Sequence, residues 1–228
     1  MKENWKFSEL EYVRPDFDEA KENLKSYIKK IREADSFTAA LSAYTESEKE
    51  IDHLMMMYTL VYVRHTLDTS DKFYEEEHEV FNSQFPTFGP ISVESGEALN
   101  ESKYRDDFET KFGKQFFASI ELEKKRFSEK NIPLLQEEAK LTSEYQKMMA
   151  SCKIKFDGKE LNLYGIQKYF ENDDREVRKA AFQAYSDFYH DNEKRLEEIW
   201  DELIKLRNEM GRNLGFENFI PLGYLRQG

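Results

Sequence analysis

Two adjacent residues, His78 and Glu79, open the pattern H-E-x-x-H. In that pattern two histidines one helical turn apart hold zinc, and the glutamate between them activates a metal-bound water. The spacing is strict, because only i and i+4 put both imidazoles on one helix face. Position 82 is Asn, and positions 74, 75 and 81 hold no histidine either. The four histidines are 53, 65, 78 and 190, and no two lie a turn apart. A site drawn from distant elements would have only these four and Cys152 to use. His78 and Glu79 therefore read as ordinary residues on a charged helix face, with Glu75 to Glu79 solvated. His65 has Asp68 and Asp71 close by in sequence and reads as a core or capping histidine. Cys152 has no local base or cation to activate its thiol, so it reads as structural. No G-x-S-x-G and no phosphate-binding glycine loop occur. The sequence names no catalytic and no metal residues, and it leaves substrate-binding residues unknown.

The elements that would position any site are helices. Gly (9) and Pro (5) are scarce in 228 residues, which suits long helices. The chain carries 34 Lys+Arg against 46 Asp+Glu, a formal net charge of -12. That balance disfavours nucleic acid, which needs a basic face to displace counterions. Aromatic residues make up 14%, too many for an acidic disordered chain, so a ring-rich core is expected. The single cysteine excludes an internal disulfide. No apolar run is long enough to span a bilayer, and "MKENWKFSEL" lacks the apolar segment of a signal peptide. These features fit a cytoplasmic protein without a membrane partner.

Periodicity predicts a helix in 14–35, with Phe17, Leu24, Ile28 and Ile31 on its core face. A longer one follows over 36–69, with Ser36 as N-cap. Its stripe runs through Leu54, Tyr58, Val61 and His65, and Met55 to Met57 are expected in the core. A third helix starts at Ser70 and stops before Pro86. Residues 86–102, with two prolines and two glycines, read as a bend carrying at most a short helix near its end. One or two helices broken near Gly113 come next, then one over 132–152. Alternation around Asp157-Gly158 predicts a hairpin, the only β structure expected. From Asp173 to about Gly215 the longest helix steps by three or four. The fold class is mainly α, a long-helix array with one small β-hairpin near residues 153–164. The expected division is an N-terminal helical subdomain over 1–112 and a second helical part with the hairpin over 113–228.

Several segments, read in order, resemble a known family. Phe156-Asp157-Gly158 precedes a helix start with Asp174, Arg175, Arg178 and Ala181, and the long helix leads into a turn from Arg212 to Phe219, "RNLGFENF". With "VRHTLDTSDKFYEEE" upstream, they resemble the front half of the oligoendopeptidase F-like branch of the thimet oligopeptidase family. The likeness runs from about Trp5 to the last residue. It implies zinc endopeptidases that cut short peptides in a channel between two helical halves. Their zinc helix and the later Glu ligand belong beyond this turn, so no family catalytic residue transfers to this chain.

The reading is thus the N-terminal, non-catalytic portion of a zinc oligoendopeptidase, one wall of its channel, leading into a zinc catalytic domain that is absent. Zinc is expected in the full-length family and not on this chain, which alone should be inactive. Short peptides are the partners of the whole enzyme. The last residues, "IPLGYLRQG", read as a cut or shortened chain, and apolar surface left for missing parts would favour self-association. The alternatives are a stand-alone helical interaction module without catalysis and an acidic dimeric bundle.

Overall fold

A computed structural model describes residues 6–227 of the chain. Helices dominate it, joined by one two-stranded antiparallel sheet, in agreement with the mainly α expectation. The chain forms two compact units. The first takes residues 1–136 and 208–228, and the second takes 137–207.

In the first unit, α1 (Phe17–Glu33) begins where the Asp16 carboxylate accepts the amides of Asp18 and Glu19. This cap satisfies two of the amides a helix start leaves open. Its buried face is Phe17, Ala20, Leu24, Ile28 and Ile31, the stripe the sequence spells. α2 (Phe37–Leu67) starts at the expected cap, Ser36. It packs along α1 and then α3 (Lys72–Gln84), which Asp71 caps through the amides of Phe73 and Tyr74. The cap is thus one residue later than Ser70. The methionine run divides: Met57 is buried, but Met55 and Met56 are exposed, correcting the expectation of a core run.

Residues 86–102 also differ from expectation. A short 3-10 turn, Phe85–Phe88, leads straight into α4 (Gly89–Asn100). Pro90 falls in the first turn, where its missing N–H costs nothing. Gly96 serves packing rather than bending: a Cβ there would lie 2.6 Å from the Ile120 side chain. α5 (Arg105–Phe112) and α6 (Lys114–Arg126) meet at Gly113, whose φ of 87° is a glycine conformation. One core cluster joins Leu24, Ile28 and Ile31 to Ile91, Leu99 and Phe108. A second joins Phe17 to Leu54, Leu60, Val61 and Phe81. The unit closes with α10 (Phe219–Gln227), which packs on α6.

The second unit contains most of α7 (Ile132–Ala150), most of α9 (Arg175–Asn213) and the residues between them in sequence. Strands β1 (Ile154–Phe156) and β2 (Lys159–Leu161) pair Ile154 with Leu161 and Phe156 with Lys159. Asp157 and Gly158 have φ of 51° and 69°, the two left-handed positions that a two-residue hairpin turn requires. A short helix, α8 (Leu163–Gln167), follows, capped by Asn162. Ile154, Leu163, Ile166 and Ala181 form one core, and Leu141, Ile199 and Leu203 another.

Candidate functional site

The residues that first suggested zinc do not make a zinc site. His78 is buried on α3, not solvated, which corrects the charged-face reading. It stacks on His65 of α2, ring centroids 4.7 Å apart and planes within 12°. Imidazole lone pairs lie in the ring plane, so face-to-face rings do not converge on one ion at about 2.0–2.1 Å. Asn82, at the i+4 position, brings its Nδ2 to 3.4 Å from His78 Nδ1. His53 and His190 are exposed elsewhere, His190 beside Glu193. Among the described residues no group of three His, Cys, Asp or Glu could hold a metal. The residues present do not fit the zinc that the family likeness implies.

Glu77, beside His78, is also buried. Arg14 holds its carboxylate through Nε and Nη2, and the Tyr12 hydroxyl donates to Oε2. The guanidinium keeps Glu77 below the ordinary carboxylate range despite the opposing cost of burial. Burial, then the neighbouring Glu77, pushes the Tyr12 phenol well above its ordinary value. This is a structural clamp tying the N-terminal segment to α3. Cys152 is likewise inert, its thiol pushed up by burial.

A groove of about 680 Å³ lies in the first unit, between α1, α2, α4 and α6. That volume suits a small ligand or a few side chains. Its walls are apolar: Ile28 from α1, Ile51 and Met55 from α2, Ile91 from α4, and Phe116 and Ile120 from α6. The exposed Ile51 and Met55, one turn apart, face this space rather than the core. Beyond Phe85 and Phe88 a second recess of about 350 Å³ continues toward Met210 and Leu222.

Few charges line the larger groove. Glu123 and Arg126 pair with each other. Glu48, one turn before Ile51, pairs with no cation among the described residues. Burial raises its carboxyl above the ordinary value, and the Asp52 charge adds to that. A hydrogen bond from Tyr44 works the other way. Tyr44 is held edge-on to Phe108, Phe112 and Phe116, with centroids 5.5–6.0 Å away. Sequence reasoning missed this groove. Its only signal was an apolar stripe on α2 wider than one packed face needs.

The segments that carried the family likeness are structural. Asp174 caps the start of α9 through the Glu176 amide, and Arg178 Nη1 binds the carbonyls of Asn172 and Asp173. In the turn after α9, Asn208 accepts the Phe219 amide and Asn218 accepts that of Ile220. Asn131 bridges to the Met210 carbonyl and to Asn213.

The sequence profile of the Peptidase M3 N-terminal domain matches residues 7–127, and the chain belongs to that family. No curated protein matches it. Solved structures do. A proposed oligoendopeptidase F is 36% identical, with a TM-score of 0.95 over 98% of this chain. Another, from Bacillus anthracis strain Ames, is 35% identical with a TM-score of 0.94 over 96%. PZ peptidase A, solved with an inhibitor, is 37% identical with a TM-score of 0.94 over 97%. The chain spans 39–40% of the length of these proteins.

Proposed function

We propose that this chain is the N-terminal, non-catalytic part of a zinc-dependent oligoendopeptidase that hydrolyses short peptides, and that its groove forms part of one wall of the substrate channel. The observation that carries this reading is the near-complete superposition of the chain on two-fifths of an oligoendopeptidase F. The groove adds to it. Apolar walls with a few polar groups suit side chains of an extended peptide. The zinc and its ligands then belong to the part of the enzyme outside this sequence. A cytoplasmic setting belongs to the same proposal, supported by the single cysteine. No described helix is long and apolar enough to cross a membrane.

Two results test the reading. The gene should encode an H-E-x-x-H helix roughly a hundred or more residues after Gly228, since one motif must supply both zinc imidazoles. A gene lacking it sinks the proposal. The purified 228-residue chain should show no chelator-sensitive peptide cleavage. Such activity would mean that the chain is catalytic by itself.

A further inference from the structure

Within the second unit, α9 is apolar on more of its surface than its own packing uses. Ile199 and Leu203 are buried and pack with Leu141. The residues that follow each of them, Trp200 and Ile204, are 66% and 44% exposed. One residue turns an α-helix by about 100°, so the buried pair and the exposed pair lie on adjacent sides. A helix apolar on two sides fits between two layers, and the unit supplies only the first. Tryptophan is also the residue type that most often anchors an interface.

A second stripe runs beside the exposed pair. Glu197 and Asp201 stand one turn apart and both are exposed. Neither is paired with a cation among the described residues. Lys194 pairs with Glu198, and Arg195 with Glu144, Glu198 and Glu202. Like charges at that spacing repel each other.

Resting on the reading of the chain as the N-terminal part of a longer enzyme, we infer that this face of α9 seats a segment from the rest of that enzyme. The segment lays an apolar side chain across Trp200 and Ile204 and sets lysine or arginine against Glu197 and Asp201. Length selects the occupant. The chain spans 39–40% of its structural relatives, so about three-fifths of each has no counterpart in the 228 residues. Charge selects the chemistry. Two unpaired carboxylates on a chain of net charge -12 attract a basic rim. A second copy of this chain, docked by the same face, would bring the same acidic stripe and be repelled.

The test compares the 228-residue chain with the full-length gene product by hydroxyl-radical footprinting, read at Trp200 by mass spectrometry. Oxidation at Trp200 should fall at least about fivefold in the full-length enzyme, as an interface desolvates its anchor. The double variant Glu197→Gln, Asp201→Asn tests the charges. In the 228-residue chain it should leave the melting temperature unchanged or raise it, since two like charges are gone. In the full-length enzyme it should lower the melting temperature by about 1–3 °C, since the facing cations lose their partners. Equal oxidation of Trp200 in the two proteins overturns the inference while the reading of the chain as an N-terminal part stands. Protection that appears in the 228-residue chain as its concentration rises assigns the face to a second copy and overturns it too. Protection without any loss in the double variant overturns the basic rim. A gene that ends at Gly228 defeats the inference and the reading together.

Discussion

Arg14 and Glu77 are 63 positions apart in sequence, yet the guanidinium straddles the carboxylate, with Nε 2.9 Å from Oε2 and 3.1 Å from Oε1. The carboxylate is buried and the arginine half-exposed, so solvent screens one partner and not the other. Arg14→Met removes the cation and leaves a buried carboxylate held by Tyr12 alone. The expected loss is about 1–2 kcal/mol of unfolding free energy, the low end for an orphaned buried charge because of that screening. Urea denaturation at neutral pH measures it, and an unchanged midpoint would show the clamp to be idle.

The same pair sets a pH dependence. Arg14 lowers the folded-state pKa of Glu77, so the stabilisation is complete above the unfolded glutamate value and fades as pH falls through the lowered folded one. The wild type should therefore lose stability faster than Glu77→Gln as pH drops from about 5 toward 3, since only the former has this carboxylate to protonate. Parallel stability curves across that window would contradict the assignment.

Gly211, near the end of α9, lies under the turn that follows it. A Cβ there would stand 2.4 Å from the Asn218 carbonyl oxygen, a backbone atom that moves only with the whole turn. The amides of Leu214 and Phe216 also return to the Gly211 carbonyl. Gly211→Ala should cost about 1–3 kcal/mol through this clash, even though alanine favours helix. In a chain of this size that lowers the melting temperature by about 3–10 °C. A stabilised variant would mean that the turn is looser than the contacts indicate.

The stacked His65–His78 pair should be indifferent to metal. Melting temperatures with excess zinc or with a chelator are expected to agree within about 1 °C, because a ligand stabilises only what it binds. A zinc-dependent rise that His78→Gln abolishes would establish a metal site where the ring geometry argues against one.

Much of this fold was legible because local rules decided it. Asp16 and Ser36 cap helices as their positions suggest, and Asp157-Gly158 turns the hairpin through two positive φ angles. What escaped was decided by distant partners. The glycines and prolines of 86–102 look like helix breakers. Yet Pro90 occupies a permissive first turn, and Gly96 meets Ile120, 24 positions away. Glu77 and His78 sit in a run of acids that reads as solvated, and only Arg14 and His65 show why they are buried. Ile51 and Met55 fit an apolar helical stripe, but spacing alone does not separate residues facing a core from residues facing a groove.

The central claim, that this groove receives peptide, is tested most directly by nuclear magnetic resonance of isoleucine and methionine methyl groups in the 228-residue chain. The titrant is acetyl-Gly-Leu-Phe-Gly-Ala-Gly-amide, taken to about 5 mM so that even millimolar binding registers. The account predicts saturable shifts at Ile28, Ile51, Met55, Ile91 and Ile120, with Ile154, Ile166 and Ile199 unmoved. No shifts, or shifts centred on Ile154, Ile166 and Ile199 instead, would contradict it.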